Sequence, residues 1–169
     1  GNHDWHGNVQ AQIDYTRNLG RWHYPDWHYT VTRQYDVINT ATGNTATAAD
    51  NDAAADATGT VTVEIAMLDT VIALNAFETN DTRKGVPSAE EQWAWINNIL
   101  SSSRADYLFA AGHHPIWSGG THGSQTGLQR LRAMLLKYNA TGYLCGHDHT
   151  LQYVEESGLQ YVLSGAGVS

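Results

Sequence analysis

The chain has 169 residues and a formal net charge of −8, with only 9 Lys and Arg residues. This acidic balance argues against a nucleic-acid groove and against an anionic membrane surface as the partner, because both need basic residues. The length fits one domain, or a large part of one, and the single cysteine excludes an internal disulfide framework. The sequence contains no run of about 18 apolar residues, so it predicts no transmembrane helix.

The first elements along the chain are a short helix and two strands. Helical spacing after the N-cap candidate Asn8 predicts a helix over Val9–Asn18. Tyr, Thr and Val enrichment predicts a strand over Trp27–Val37, and a stronger strand pattern covers Val61–Leu68. Between these strands, residues 41–60 contain eight Ala and five Thr. This segment cannot bury enough apolar surface to offset its ordering entropy, so it predicts a flexible excursion or hairpin tip.

The second half alternates helices with short strands. Ser88 and Glu91 form a capping-box pattern at the start of a predicted helix. A leucine stripe predicts another helix over Leu128–Tyr138. Strands are predicted at Tyr107–Ala111, Gly142–Cys145, Gln152–Val154 and Gln160–Leu163. Strands that alternate with helices and end in polar loops indicate an α/β layered fold with a site at the strand ends.

Three short loops carry most of the chemically informative residues. They read GNHD at residues 1–4, GHHP at residues 112–115 and GHDH at residues 146–149, and the last two directly follow predicted strands. Glycine lets the chain turn sharply at a strand end. Imidazole is the commonest protein ligand for borderline metals, and Asn offers a neutral carbonyl oxygen. Together the three loops predict a metal site, and the spacing of His147 and His149 suits two metal ions better than one tetrahedral centre.

Two further histidines have open roles. His114 adjoins His113, so either can be the ligand of that loop, although a strand end usually directs one side chain to the site. His122 lies in the Gly-rich loop 118–123, which favours contact with a substrate. Neither role follows from the spacing alone.

The remaining acidic and histidine candidates favour structural roles. Asp69 and Asp148 can bind a metal, but each is more typical of a residue that orients a neighbour or caps a turn. His6, His23 and His28 lie among aromatic residues, which indicates packing at the surface or in the core.

The sequence resembles the calcineurin-like metallophosphoesterase superfamily, and within it the tartrate-resistant, purple acid phosphatase branch. The stretches that carry the resemblance are GNHDWHGNVQAQI at residues 1–13, MLDT at 67–70, AGHHPIWS at 111–118, YLCGHDH at 143–149 and LSGAG at 163–167. The resemblance covers nearly the whole chain in order, except residues 41–60. It implies a layered β-sandwich flanked by helices.

The resemblance also implies a ligand set for two metal ions. The residues that match the family's ligands to the divalent ion are Asn2, His113 and His147, and His149 matches a ligand of the ferric ion. The implied cofactors are Fe(III) and a divalent Fe, Zn or Mn ion. The family's other ligands, two Asp residues and a Tyr, lie upstream of the GNHD motif. The chain is therefore expected to be a single partial catalytic domain over residues 1–169, incomplete at both ends and inactive by itself.

The implied reaction is hydrolysis of phosphate monoesters by a hydroxide that the metals activate. His3 matches the family's residue that contacts the phosphate and leaving group, and His122 lies in the loop that supplies a second such His. Asp4 and Asp148 are expected beside these groups, where they orient neighbouring side chains. The alternatives are another metallophosphoesterase activity, on phosphodiesters or nucleotides, and a catalytically inactive metal-binding relative.

The resemblance further suggests small phosphorylated substrates or phosphoproteins as partners, with no nucleic acid and no membrane. It also suggests a secreted or lysosomal or vacuolar protein. Two glycosylation sequons, at Asn80–Thr82 and Asn139–Thr141, are compatible with that location.

Overall fold

A six-stranded sheet organises the fold in the computed structural model, which describes residues 1–16, 21–38, 57–77 and 85–165. The strand order is β1-β2-β3-β4-β6-β5. The four inner strands pair in parallel, and the two edge strands, β1 and β5, pair antiparallel with their neighbours. The strands are β1 (Tyr29–Ile38), β2 (Ala57–Met67), β3 (Tyr107–Ala111), β4 (Gly142–Cys145), β5 (Leu151–Glu156) and β6 (Leu159–Ser164).

Four α-helices accompany the sheet in the described part of the chain. They are α1 (Val9–Thr16), α2 (Thr70–Leu74), α3 (Ala89–Ser102) and α4 (Gln129–Lys137). The predicted capping box starts α3: the Ser88 hydroxyl accepts the Glu91 amide at 3.2 Å, and the Glu91 carboxylate accepts the Ser88 amide at 2.7 Å. No helix among the described residues is both long enough and apolar enough to cross a bilayer.

The helices bury one face of the sheet. The larger core joins inner-strand residues such as Ala66, Ala110 and Tyr143 to residues of α3 and α4, among them Ile96 and Leu131, all fully buried. On the opposite face, alternate residues of the same strands keep some exposure, and Tyr107, Tyr153 and Val162 are exposed. The α/β architecture predicted from the sequence is therefore confirmed, with the described strands in one sheet.

A second, smaller core supports the start of the chain. Trp5 stacks on Trp27 at a centroid distance of 5.4 Å, and both pack with Val9, Val71 and Ile72. This cluster fixes the 3₁₀ turn Asn2–His6 against α2. The GNHD loop is thus held against the body of the domain by buried aromatic side chains.

Several predicted elements differ from the structure by one or two residues at an end, and two differences are larger. Strand β2 begins at Ala57, so residues 57–60 of the predicted excursion are in the sheet, while residues 41–56 lie outside the described residues. Helix α2 was not predicted, because five residues are too few to show helical periodicity. Its signal is Asp69, whose carboxylate accepts the amides of Val71 and Ile72 at 2.8 and 3.3 Å.

Candidate metal centre

The parallel inner strands bring two of the polar loops together. The loops after β3 and β4, residues 112–115 and 146–149, leave the same edge of the sheet because β3 and β4 are parallel neighbours. The backbone joins them directly, with the Gly112 amide on the Leu144 carbonyl and the Gly146 amide on the His113 carbonyl, both at 3.0 Å. Glycine is required at position 112, since a Cβ there would lie 2.6 Å from the Thr70 side chain.

Three of the predicted ligands meet at this edge. The Nε2 atom of His113 lies 2.8 Å from the Asn2 Oδ1 atom and 3.0 Å from the His147 Nδ1 atom. Asn2 comes from the 3₁₀ turn, and His147 has a left-handed φ of 69° that lets its ring turn back toward the cluster. One amide oxygen and two ring nitrogens thus converge from three separate segments.

His114 joins the same group. The three histidines 113, 114 and 147 place ligand atoms within 4.8 Å of one another. The Nδ1 atom of His114 lies 2.7 Å from the Thr70 hydroxyl, which also accepts the His114 amide at 3.1 Å. The buried Tyr143 hydroxyl donates to the His114 carbonyl at 2.7 Å. The sequence favours one of His113 and His114 at the site, whereas the fold brings both side chains to it. We call Asn2, His113, His114 and His147 the His113 cluster.

Burial keeps these imidazoles neutral. Desolvation, to which the neighbouring imidazoles add, lowers the pKa of His113 to about 3 and that of His114 to about 4. Desolvation also lowers the pKa of His147, and His122 adds to this effect. A metal ion needs the deprotonated ring nitrogen as its ligand. Near neutral pH, therefore, protons do not compete with a metal ion for these nitrogens.

The donor set fits a divalent cation of the borderline type. Ligand atoms at roughly 2 Å from a shared ion lie at most about 4 Å from one another. The distances of 2.8 and 3.0 Å meet this limit, and the 4.8 Å span of the three histidines needs only a small adjustment. Imidazole nitrogens with a carbonyl oxygen suit Zn, Fe or Mn.

His122 lies next to the cluster. Its ring is exposed, and its centroid lies 4.4 Å from that of His147. The His122 amide donates to Asp148 Oδ1 at 2.7 Å, and the Ser118 hydroxyl donates to Asp148 Oδ2 at 2.5 Å. Asp148 is only 1% exposed. Burial acts to raise the pKa of Asp148, but the bonds from Ser118 and His122 outweigh it, so the pKa is lowered.

The other sequence candidates lie at the margin of the cluster. His3 is exposed and stacks on His6 at a centroid distance of 5.3 Å, and Asp4 accepts the Gln12 amide group at 3.3 Å. His149 is exposed and is not among the three histidines that place ligand atoms within 4.8 Å of one another. The predicted ligand role of His149 and the proton-donor role of His3 remain predictions.

Asp69 has the structural role that its sequence context favours. It caps α2, and the Trp5 ring nitrogen donates to its second oxygen at 3.0 Å. Burial of this carboxyl is the largest influence and raises its pKa. His28 likewise packs, with its ring 4.4 Å from that of Trp95, and His23 lies edge-on to Tyr29.

Sequence reasoning missed two features of the site. Thr70, which orients His114, stands in the MLDT stretch but has no spacing that predicts a site role. A cavity of about 580 Å³ lies beside the cluster, with His113 in its wall. Aromatic residues line it, among them Trp22, Tyr24, Trp27 and Tyr29, which come from a segment without a recognisable motif.

Comparison with known proteins gives a consistent result. The sequence model of the calcineurin-like phosphoesterase family matches residues 1–151. Over 99% of its length, the chain is 38% identical to tartrate-resistant acid phosphatase type 5 of Oryctolagus cuniculus and 37% identical to that of Homo sapiens. It is 27% identical, again over 99% of its length, to purple acid phosphatase 7 of Arabidopsis thaliana.

The matched part is about half of each relative. The chain covers 47% of both mammalian proteins and 46% of the plant protein. Among solved structures, GAP50, described as the anchor in the inner membrane complex of Plasmodium, aligns with 96% of this chain and 46% of its own, with a TM-score of 0.71. At 19% identity this likeness concerns the fold alone.

Proposed function

The chain belongs to the calcineurin-like phosphoesterase family, and we propose that the full-length protein is an acid phosphatase that hydrolyses phosphate monoesters at a dinuclear Fe(III)–M(II) centre. The observation that carries the proposal is the convergence of Asn2, His113 and His147 at the carboxyl ends of β3 and β4. The 38% identity to a tartrate-resistant acid phosphatase over nearly the whole chain favours a monoester substrate.

In the proposed site, Asn2, His113 and His147 would hold the divalent ion, and His149 would contribute to the ferric site. When bound, the metals would polarise the phosphoryl oxygens and lower the pKa of a water molecule. The chain's own contribution is a set of neutral nitrogen ligands in fixed positions. The Thr70 hydroxyl holds the ring of His114. The loop 118–123 is held by Asp148, which accepts the His122 amide.

The exposed histidines supply the proton chemistry. In their charged form, His3 and His122 can donate hydrogen bonds to the phosphoryl oxygens and stabilise the charge that develops on them. One of them must also protonate the departing alkoxide, and we assign this task to His3. His122 supports this arrangement, because its ring already lies 4.4 Å from that of the ligand His147.

The proposal extends to substrates and location. Small phosphate monoesters or phosphoproteins are the proposed substrates, and a secreted, lysosomal or vacuolar protein is the proposed setting. Asn139, the first residue of the second sequon, is exposed and so accessible to glycosylation.

The test uses the full-length protein. Metal analysis should find two ions per chain, one of them iron, and para-nitrophenyl phosphate should be hydrolysed much faster than bis-para-nitrophenyl phosphate. Faster hydrolysis of the diester or of nucleotides would replace the proposal with another metallophosphoesterase activity. A protein that binds metal but hydrolyses neither ester would be an inactive relative.

A further inference from the structure

We propose that Ser118, Asp148 and Gln152 form an anchor that holds the loop 118–123 and thereby positions His122 at the site. We call these three residues the loop anchor. The inference rests on the proposed function, because it gives His122 its substrate contact. It adds residues that act through His122 and touch neither metal nor substrate.

The first contact set joins the loop to Asp148. One carboxylate oxygen accepts the His122 amide at 2.7 Å, and the other accepts the Ser118 hydroxyl at 2.5 Å. The two ends of the loop are therefore fixed to one buried carboxylate that directly follows His147. A fixed separation between the His122 backbone and the cluster follows from this arrangement.

The second contact set joins the loop to the sheet. Gln152 lies in β5, and its carbonyl oxygen accepts the Gly119 amide at 2.9 Å. Its amide nitrogen donates to the Ser118 hydroxyl at 3.1 Å, and the same hydroxyl accepts the Gly120 amide at 2.9 Å. The Gln152 side chain thus transmits the position of a β-strand to the backbone of the loop.

The loop composition makes an anchor necessary. Residues 119, 120 and 123 are glycines, which leave a free loop with many backbone conformations. Glycine at 120 also permits close packing, since a Cβ there would lie 2.5 Å from the Asp148 carboxyl carbon. A misplacement of about 1 Å in a positioning group can cost about 10²-fold in rate, so a loose His122 would act poorly.

The experiment uses Gln152→Ala and Ser118→Ala in the full-length, metal-loaded enzyme. Both residues are outside the predicted ligand set, so metal content should stay at the wild-type level. We expect kcat to fall about tenfold, with a smaller change in KM, because the loop samples positions in which His122 is misplaced. Ser118→Thr keeps the hydroxyl and should restore most of the activity. Gln160→Ala, an exposed Gln on the neighbouring strand β6, is the matched control and should leave kcat unchanged.

Two readouts separate an anchor from a merely structural role. In a His122→Ala background, Gln152→Ala should cause no further loss of kcat, because the anchor acts through His122. Amide hydrogen exchange of residues 118–123 should rise in Gln152→Ala and not in Gln160→Ala. Losses that multiply in the double variant, or unchanged exchange in the loop, would overturn the anchor.

The same design distinguishes this inference from the proposed function. If the wild-type enzyme hydrolyses no phosphate ester, the proposed function fails and the loop exchange still decides whether the anchor holds the loop. If the wild-type enzyme is active but the double variant is additive, the anchor fails and the proposed function stands.

Discussion

Two clusters of polar residues in this molecule differ in charge and in how their members pair. The His113 cluster consists of uncharged groups that face one another, with the Asn2 Oδ1 atom 2.8 Å from the His113 Nε2 atom. The second group, which we call the Arg132 cluster, contains Arg132, Glu156, Tyr161 and Trp117. Here a guanidinium donates to a carboxylate at 2.8 Å, and the Tyr161 hydroxyl donates to the same carboxylate at 3.0 Å.

The difference shows how a site can be told from a structural network. In the Arg132 cluster every charge has its partner within the group, and the Arg132 guanidinium lies 5.7 Å above the Trp117 ring. In the His113 cluster burial makes the imidazoles neutral, and three of them place ligand atoms within 4.8 Å of one another with no charged partner in the cluster. Imidazole nitrogens and an amide oxygen at this spacing can bind a shared cation, so the candidate site is marked by converging ligand atoms and the structural network by paired charges.

The largest expected effect sharpens this contrast directly. His113→Ala in the full-length protein removes the atom that lies within 3.0 Å of both Asn2 and His147. Metal content and phosphatase activity should fall together, because the ion loses its central ligand. Metal stoichiometry and turnover should be measured on the same preparation. Full metal content with reduced turnover would show that His113 is not a ligand.

The next effect concerns His3, which lies outside the cluster. His3→Ala should leave the metals bound and lower turnover by roughly 10²-fold, the usual scale for the loss of one acid–base group. The loss should be larger for alkyl phosphates than for aryl phosphates, because an aryl leaving group needs less protonation. Turnover on both substrate types, with metal analysis, tests the assignment. Equal losses on the two substrates would contradict the leaving-group role.

How much of this contrast can be predicted from the sequence depends on how many positions separate the residues that make contact. The GHHP and GHDH loops follow strands, so their meeting at one sheet edge is predictable once the strands are parallel neighbours. The Ser88 capping box is a local pattern, and it is present in the structure. Local patterns and the resemblance together therefore predict the α/β fold, and of the four predicted ligands they name, Asn2, His113 and His147 lie together in the structure.

The rest depends on contacts between distant segments that leave no periodic signal. Thr70 reaches His114 across 44 positions, and Gln152 reaches Gly119 across 33. Gln152 fits the alternating pattern of β5 like any partly buried strand residue. Its contact with the loop therefore depends on how the loop folds back onto the sheet, which the sequence does not indicate. His149 illustrates the opposite case, since its motif predicts a ligand while its side chain is exposed in the described structure.

A smaller effect is the acid sensitivity of the metal-free protein. In the unfolded chain His113 and His114 bind protons below a pKa of about 6.5, while in the folded chain they do so only near pH 3 and 4. Between these values the unfolded state binds more protons, so the free energy of unfolding falls as the pH falls from about 6.5 toward 4. Urea denaturation of the full-length apoprotein across this range measures the slope, and His114→Gln should make it shallower. An identical slope in wild type and variant would show that His114 titrates normally in the fold.

The smallest expected effect tests the other side of the comparison. The bond from Arg132, aided by Tyr161, lowers the pKa of Glu156 to about 2. A depressed carboxyl pKa stabilises the fold above about pH 4.5, and the contribution disappears as the pH falls from there toward 2. Glu156→Gln should therefore lower the Tm at pH 7 and lower it less at pH 3. The effect should be slight, because the Arg132 and Glu156 side chains are about 30% exposed and water screens the pair.

Glu156→Gln should leave metal content, kcat and the alkyl-to-aryl ratio at their wild-type values, because the Arg132 cluster neutralises itself within the fold. Thermal melts at the two pH values and a metal analysis measure both parts of this expectation. A drop in metal content would show that the Arg132 cluster supports the site through Trp117, which follows the GHHP loop by two residues. In that case self-neutralised charge would no longer separate a structural network from a functional one in this protein.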